Sequence, residues 1–155
     1  MNRTVVGLLL VVVVGAGCGD TGTAVLDAPV EGPAADTVTS LVLPEASFAL
    51  ASPQQAAVII DDSLGSSNFV LLDVRTPEEY SEGHISGSEN VDFYASEFTD
   101  SIAALDRDKE YVVYCRSGNR SGQTLELMRQ LGFTNVTDIA GGIVEWQAAG
   151  LPLEG

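Results

Sequence analysis

Cys115 is the residue of this chain best suited to nucleophilic chemistry. Residues 111–114, which favour a buried strand, precede it, and the next six residues carry no large apolar side chain. A helix predicted over 119–131 would point its first backbone N–H groups at the sulfur. This helix end, with Arg116 and Arg120, is expected to lower the pKa of the thiol. We therefore predict a partly exposed, reactive thiolate. A structural cysteine would normally lie inside an apolar run.

The loop after the cysteine is a predicted binding site for an anionic substrate. Its candidate binding residues are Arg116, Ser117, Gly118, Asn119, Arg120 and Ser121. Both arginines could attract and orient an anion. Arg120 could equally brace the loop against a nearby carboxylate, because an arginine fork serves both uses. Ser117 and Gly118 are expected to form the turn that closes the backbone around the sulfur.

The second cysteine, Cys18, follows a sequence typical of an export signal. The apolar residues 5–14 make about half of the roughly 20 residues that a membrane-spanning helix needs, and the small residues 15–17 follow them. This pattern resembles the lipobox of bacterial lipoproteins, although Gly15 stands where Leu is usual. We predict a signal peptide over 1–17 and a lipidated Cys18 that anchors an exported protein in the bacterial cell membrane. The alternatives are a soluble secreted or periplasmic protein and a short uncleaved anchor.

The composition limits the partners that the protein can have. The chain has 155 residues, of which 22 are acidic and 7 basic, and its net charge is −15. This charge argues against nucleic acid, whose phosphates need positive patches, and against direct attraction to an anionic membrane. One histidine and one remaining cysteine cannot form a tetrahedral metal site, so we predict no metal and no cofactor. The oligomeric state stays open.

The chain divides into the signal, a flexible tether over 18–47, and one domain over 48–155. In the domain, predicted strands alternate with predicted helices. The strands cover 69–74, 89–92, 111–114 and 136–139, and the helices cover 52–64, a short segment from 76, 95–105, 119–131 and 143–149. This alternation predicts a three-layer α/β fold with a central, mostly parallel sheet flanked by helices. Ligands of such sheets bind beyond the carboxyl ends of the strands, where Cys115 lies.

The domain resembles the single-domain rhodaneses, a family of sulfurtransferases. The matching segments are 72–80, 83–88, the loop 115–121, and Gly141 and Gly142 with Trp146 and 149–152. They follow the family's order and spacing across almost the whole domain. Two departures are Ser86, where Pro is common, and Ser88, where Ala is common.

The resemblance implies a two-step sulfur transfer. The Cys115 thiolate would attack the outer sulfur of a small anionic donor such as thiosulfate, and sulfite would leave. A persulfide would then rest among the loop N–H groups until cyanide or a thiol removes its outer sulfur. Asp73 and Arg75 are expected to fix adjacent loops, and His84 is expected to be a structural hydrogen-bonding residue.

Three other functions remain open. Phosphatases and arsenate reductases of the same fold place five residues between Cys and Arg. Here four residues separate Cys115 from Arg120, and Ser121 occupies the position of the phosphatase arginine. Other relatives are binding modules that lack the cysteine. A redox role would need an external thiol, because no resolving cysteine is available.

Overall fold

The computed structural model describes residues 46–155, so the predicted signal, Cys18 and nearly all of the predicted tether lie outside the described residues. The elements are β1 Ser47–Ala51, α1 Pro53–Ser63, β2 Phe69–Asp73, α2 Pro77–Ser81, β3 Glu89–Asn90, α3 Phe98–Ala103, β4 Glu110–Tyr114, α4 Asn119–Gln130, β5 Asn135–Ile139 and α5 Gly142–Ala148. Within this part of the chain, no helix has both the length and the apolar character needed to span a bilayer.

The strands form one parallel sheet in the order β1-β5-β4-β2-β3. Ile60 of α1 and Trp146 of α5 pack on one face of the sheet, and Ile102 of α3 and Met128 of α4 pack on the other. The central strand β4 is buried over residues 111–114, as its β-branched and aromatic side chains require. The predicted three-layer α/β fold is therefore confirmed.

The sequence prediction was incomplete at β1 and inaccurate at α3. Strand β1 pairs only with β5 and leaves Leu50 69% exposed. Its apolar residues 48–51 are few in number and include no β-branched side chain, so they do not mark a strand clearly. The helix predicted over 95–105 begins only at Phe98. The reason is a turn before it, in which the Ala95 N–H donates to the Asp92 carbonyl at 3.1 Å.

Two helices begin at the predicted residues. Ser52 caps α1 and Thr76 caps α2, each in a reciprocal capping box with the residue three positions later. In α2 that residue is Glu79, whose carboxylate accepts the Thr76 N–H at 3.3 Å. The cap therefore fixes the position of the Glu79 carboxylate.

An ion pair at the end of β2 holds α2 and the following loop. Arg75 Nη2 lies 2.7 Å from Asp73 Oδ2, and both residues are buried. The Arg75 guanidinium also donates to the carbonyl of Glu79 at 2.9 Å and to that of Gly83 at 2.7 Å. This confirms the prediction that Asp73 and Arg75 fix adjacent loops.

His84 contributes to the packing of the segment after α2. Its Nδ1 lies 3.1 Å from the Tyr80 carbonyl oxygen. Its ring stacks on the Tyr80 ring, with 3.9 Å between the ring centroids. The prediction that His84 is a structural hydrogen-bonding residue is confirmed.

The two serines that depart from the family pattern both make hydrogen bonds. Ser86 donates to the Glu154 carboxylate at 2.8 Å. The Ser88 hydroxyl lies 3.0 Å from the hydroxyl of the buried Tyr114, which also accepts the Ile85 N–H at 3.1 Å. Ser88 thus extends a buried polar network that an alanine could not join.

We expect Tyr114→Phe to lower the free energy of unfolding by about 1–3 kcal/mol, because it leaves the Ile85 N–H and the Ser88 hydroxyl without a partner. In the Tyr114→Phe background, Ser88→Ala should lower the free energy of unfolding by less than it does in the wild type. A double-mutant cycle measured by urea unfolding checks this coupling. Tyr94→Phe is the control, since Tyr94 is 69% exposed and should change stability by less than about 0.5 kcal/mol. Additive effects of the first two substitutions would contradict the network.

Candidate active site

The loop between β4 and α4 places hydrogen-bond donors around the Cys115 sulfur. The Gly118 N–H donates to Sγ at 3.1 Å, and the Ser121 hydroxyl lies 3.5 Å from it. Gly118 caps α4 with a φ of +93°, in the left-handed region that favours glycine. Ser121 is fully buried in the first turn of the helix. The loop and the helix start therefore converge on the sulfur as predicted.

Cys115 is 1% exposed and belongs to the apolar cluster beneath α3 and α4, so the expected partial exposure is wrong. Burial by itself raises the pKa of the thiol. Hydrogen bonds from the Ser121 side chain and from the N–H groups of Ser121, Ser117 and Gly118 outweigh it and lower the pKa below its ordinary value. The direction agrees with the prediction. The largest lowering contributions come from hydrogen-bond donors and not from the two arginines.

The N-terminus of α5 holds the loop from the other side. The Ile143 N–H donates to the Cys115 carbonyl at 2.9 Å, and the Val144 N–H donates to the Arg116 carbonyl at 3.2 Å. This approach depends on Gly142, whose φ is +60° and where a Cβ would collide with the Cys115 carbonyl oxygen. The glycine pair seen in the sequence thus has a definite role in positioning the site.

Arg120 is engaged by a carboxylate. Its two terminal nitrogens lie 2.6 and 2.8 Å from the Glu79 oxygens, and its side chain is 12% exposed. The hydrogen bond from Arg120 lowers the pKa of Glu79 to about 2. Arg120 was expected either to contact the substrate or to brace the loop. This structure contains the bracing contact, an ion pair that joins α4 to α2.

Arg116 differs from Arg120 because it is exposed and, among residues 46–155, no carboxylate lies within ion-pair distance of it. It lines a cavity of about 370 Å³ next to the loop, together with Arg75, Glu79, Glu82, Gly83 and Ile143. Arg116 is therefore the loop cation that is available to an incoming anion.

Ser117 and Asn119, the other predicted binding residues, differ in what they give the site. The Ser117 side chain is exposed, and its N–H is one of the groups that lower the thiol pKa. The Asn119 side chain accepts a hydrogen bond from Gln123 at 3.0 Å on the surface of α4. The structure thus brings the loop backbone and Ser121 to the sulfur, whereas the Asn119 side chain faces its own helix.

Sequence reasoning missed two acidic residues of this region. The spacing of Thr76 and Glu79 predicts only a capping box, because the ion-pair partner Arg120 lies 41 positions after Glu79. Asp138 is a 4% exposed carboxylate on β5 that lies beside the first turn of α4, where Ser121 stands. An acidic residue inside an otherwise strand-like run was the available signal for Asp138.

The fold and the site together define a class: parallel α/β domains that hold a cysteine in a loop of N–H donors at the end of the central strand. Residues 56–149 match the sequence profile described as the rhodanese-like domain. The chain belongs to the rhodanese-like domain family.

Relatives with sulfurtransferase names cover most of the domain. The chain is 34% identical over 110 residues to thiosulfate sulfurtransferase 16, chloroplastic, of Arabidopsis thaliana. The alignment covers 64% of this chain and 92% of that protein. It is 35% identical over 101 residues to thiosulfate sulfurtransferase GlpE of Pseudomonas paraeruginosa. This alignment covers 65% of this chain and 86% of that protein. A rhodanese-related protein of Thermoplasma volcanium has a similar structure, with a TM-score of 0.56, 33% identity, and coverage of 67% and 95%.

The lowered pKa of Glu79 predicts how stability depends on pH. Because the folded-state pKa lies near 2 and the ordinary value is 4.5, the pair should stabilise the protein fully above about pH 4.5 and lose this effect as the pH falls towards 2. Glu79→Gln keeps the capping box and should cost about 1 kcal/mol at pH 7, since solvent screens a partly exposed pair. This cost should shrink on acidification.

Urea unfolding at pH 7, 4.5 and 3 measures this difference. The exposed Glu78→Gln on the same helix is the matched control and should cost little at any of the three pH values. A loss of stability in Glu79→Gln that stays constant with pH would show that the carboxylate charge is not what stabilises α2 against α4.

Proposed function

We propose that this protein is a rhodanese-type sulfurtransferase that carries a sulfane sulfur on Cys115. The observation that carries the proposal is the buried sulfur with a lowered pKa, surrounded by N–H and hydroxyl donors. Such a site stabilises an anionic sulfur, which is the reactive form of both a thiolate and a persulfide. The sulfurtransferase names of the relatives support the same reaction class.

The first step takes sulfur from a small anionic donor such as thiosulfate. The Cys115 thiolate attacks the outer sulfur, the donor's sulfur–sulfur bond breaks, and sulfite leaves with the electron pair. The single negative charge moves from Sγ to the outer sulfur of the new persulfide. Arg116 would attract the dianionic donor to the mouth of the loop, because its guanidinium is exposed and unpaired among the described residues.

The second step passes the sulfur to cyanide or a thiolate. The acceptor attacks the outer sulfur, and the electron pair of the broken bond returns to Sγ as a thiolate. The Gly118 N–H and the Ser121 hydroxyl lie 3.1 and 3.5 Å from Sγ, so they can stabilise this leaving group as the charge develops. Both steps balance with Cys115 and the two substrates alone.

The loop geometry favours sulfur over a phosphoryl group. At the position of the phosphatase arginine, Ser121 directs a hydroxyl at the sulfur, and the neighbouring Arg120 is engaged by Glu79. A phosphoryl group carries three charged oxygens, which are best held by a fork of donors in the loop. This site offers one donor of that kind, Arg116, at its exposed edge.

Intact-mass analysis tests the persulfide. Treatment of the full chain with thiosulfate should add one sulfur atom, and Cys115→Ser should abolish both this addition and transfer to cyanide. Cys18→Ser is the matched control, because it removes the other cysteine and should leave the added sulfur in place. A substantial rate of transfer in folded Cys115→Ser protein would contradict the nucleophile. Phosphate-ester hydrolysis that disappears in Cys115→Ser would overturn the sulfur reaction in favour of phosphoryl transfer.

We further propose that Cys18 is lipidated and anchors the protein in a bacterial cell membrane. The support is the sequence before it: an apolar segment too short to span a bilayer, followed by small residues and a cysteine. The net charge of −15 gives the protein no electrostatic attraction to anionic lipid.

Cys18→Ser should therefore move the protein from the membrane fraction to the soluble or secreted fraction. Membrane fractionation and immunodetection in a bacterial host measure the change, and Cys115→Ser is the control that should stay in the membrane fraction. Unchanged membrane association of the Cys18→Ser protein would point to an uncleaved anchor or to a protein partner.

A further inference from the structure

The strand β5 buries a carboxylate that the sulfur-transfer steps do not use. Asp138 is 4% exposed, and its Oδ1 has no hydrogen-bond partner among the described residues. Burial raises the pKa of Asp138 to about 6, although hydrogen bonds from Ser121 and the Ile139 N–H oppose the rise. An incompletely satisfied buried carboxylate is costly and needs an explanation.

The position of Asp138 is set by the elements around it. In register with it lie Leu50 on β1 and Val113 on β4, neither of which can titrate. The first turn of α4 passes directly above, where a Cβ at Gly122 would lie 4.0 Å from Asp138 Oδ2. The small side chains of this turn let the Asp138 carboxylate lie close to Ser121.

Charged groups near this pair are few. The nearby arginine of α4, Arg120, is engaged by Glu79, and burial is the largest cause of the raised pKa of Asp138. Ser121 also affects the pKa of Cys115, to whose sulfur it donates at 3.5 Å. Ser121 therefore lies next to both titratable groups.

A serine hydroxyl has a single proton to donate. The Ser121 hydroxyl donates to the Cys115 sulfur at 3.5 Å, and the first turn of α4 places the same residue beside the Asp138 carboxylate. It cannot donate to two anions at once. When Asp138 is protonated, its own O–H can donate to the Ser121 oxygen, and the Ser121 proton is left for the sulfur. When Asp138 is ionised, the carboxylate competes for that proton.

We propose that Asp138 is a positioning residue for the Cys115 sulfur, and that its protonation directs the Ser121 hydroxyl towards or away from that sulfur. A neutral Asp138 stabilises the thiolate, and an ionised Asp138 weakens it, both by taking the Ser121 proton and by repulsion between like charges. Cys115 and Asp138 then titrate as a pair. This inference rests on the proposed function for its role in turnover, because each transfer returns an electron pair to Sγ.

The thiolate can be followed without any sulfur donor. In a Cys18→Ser chain Cys115 is the single thiol, and its ultraviolet absorbance on ionisation can be titrated with Cys115→Ser as the blank. Asp138→Asn keeps the shape, removes the charge and gives the amide a donor for Ser121. It should lower the thiol pKa by about one unit, the scale of one neighbouring charge in a protein interior. Asp138→Ser, smaller and neutral, should shift the pKa in the same direction.

The coupling through Ser121 is tested in the same titration. In a Ser121→Ala background, Asp138→Asn should move the thiol pKa by clearly less than in the parent chain, and Ser121→Thr should restore the larger shift. Asp100→Asn on the exposed part of α3 removes the same charge and should leave the thiol pKa unchanged. Thermal unfolding of each variant confirms that it folds.

An unchanged or raised thiol pKa in folded Asp138→Asn protein would overturn the proposal. An equal shift with and without the Ser121 hydroxyl would also overturn it, because the charge would then act without the relay. Neither result depends on sulfur transfer. A chain that forms no persulfide can still show the coupled titration, so the two proposals fail separately.

Discussion

The site depends on the hydrogen bonds that join the start of α5 to the loop carrying the sulfur. The Cys115 and Arg116 carbonyls accept N–H groups from Ile143 and Val144, so the carbonyl side of the loop faces α5. The N–H side of the same loop then faces Sγ. A thiolate buried without these donors would have a raised pKa, because burial penalises the charged form. One backbone orientation therefore both holds the loop in place and lowers the pKa of the Cys115 thiol.

The two arginines of the loop illustrate how position divides chemically identical side chains. Arg120 lies in the first turn of α4 and forms a two-pronged contact with Glu79, which the capping box of α2 holds in place. Arg116 precedes the helix and lies at the edge of a cavity. Among residues 46–155, Arg116 has no carboxylate within ion-pair distance, although the chain has a net charge of −15. Loop geometry thus gives Arg120 a structural contact and leaves Arg116 exposed at the edge of the cavity.

The sequence was sufficient wherever a local pattern decides the outcome. Ser52 with Gln55 and Thr76 with Glu79 have the capping-box spacing that predicts the starts of α1 and α2, and the apolar run before Cys115 predicts the central strand. It was insufficient wherever distant residues meet. The Arg120–Glu79 pair joins residues 41 positions apart, and the burial of Cys115 comes from helices that pack over it. The sequence does not mark strand β1 because its apolar residues are few and include no β-branched side chain. It does not mark Asp138 because only the packed fold places that carboxylate beside the first turn of α4.

The near-complete burial of the Cys115 sulfur makes the loop a filter on molecular size. Thiol–disulfide exchange requires the thiolate to approach a disulfide in line with its sulfur–sulfur bond, and a protein disulfide is too bulky to do so inside a closed loop. With Cys115 only 1% exposed, the thiol of another protein is likewise kept from capping it. The same packing that lowers the sulfur's contact with water therefore also limits its reaction with bulky oxidants.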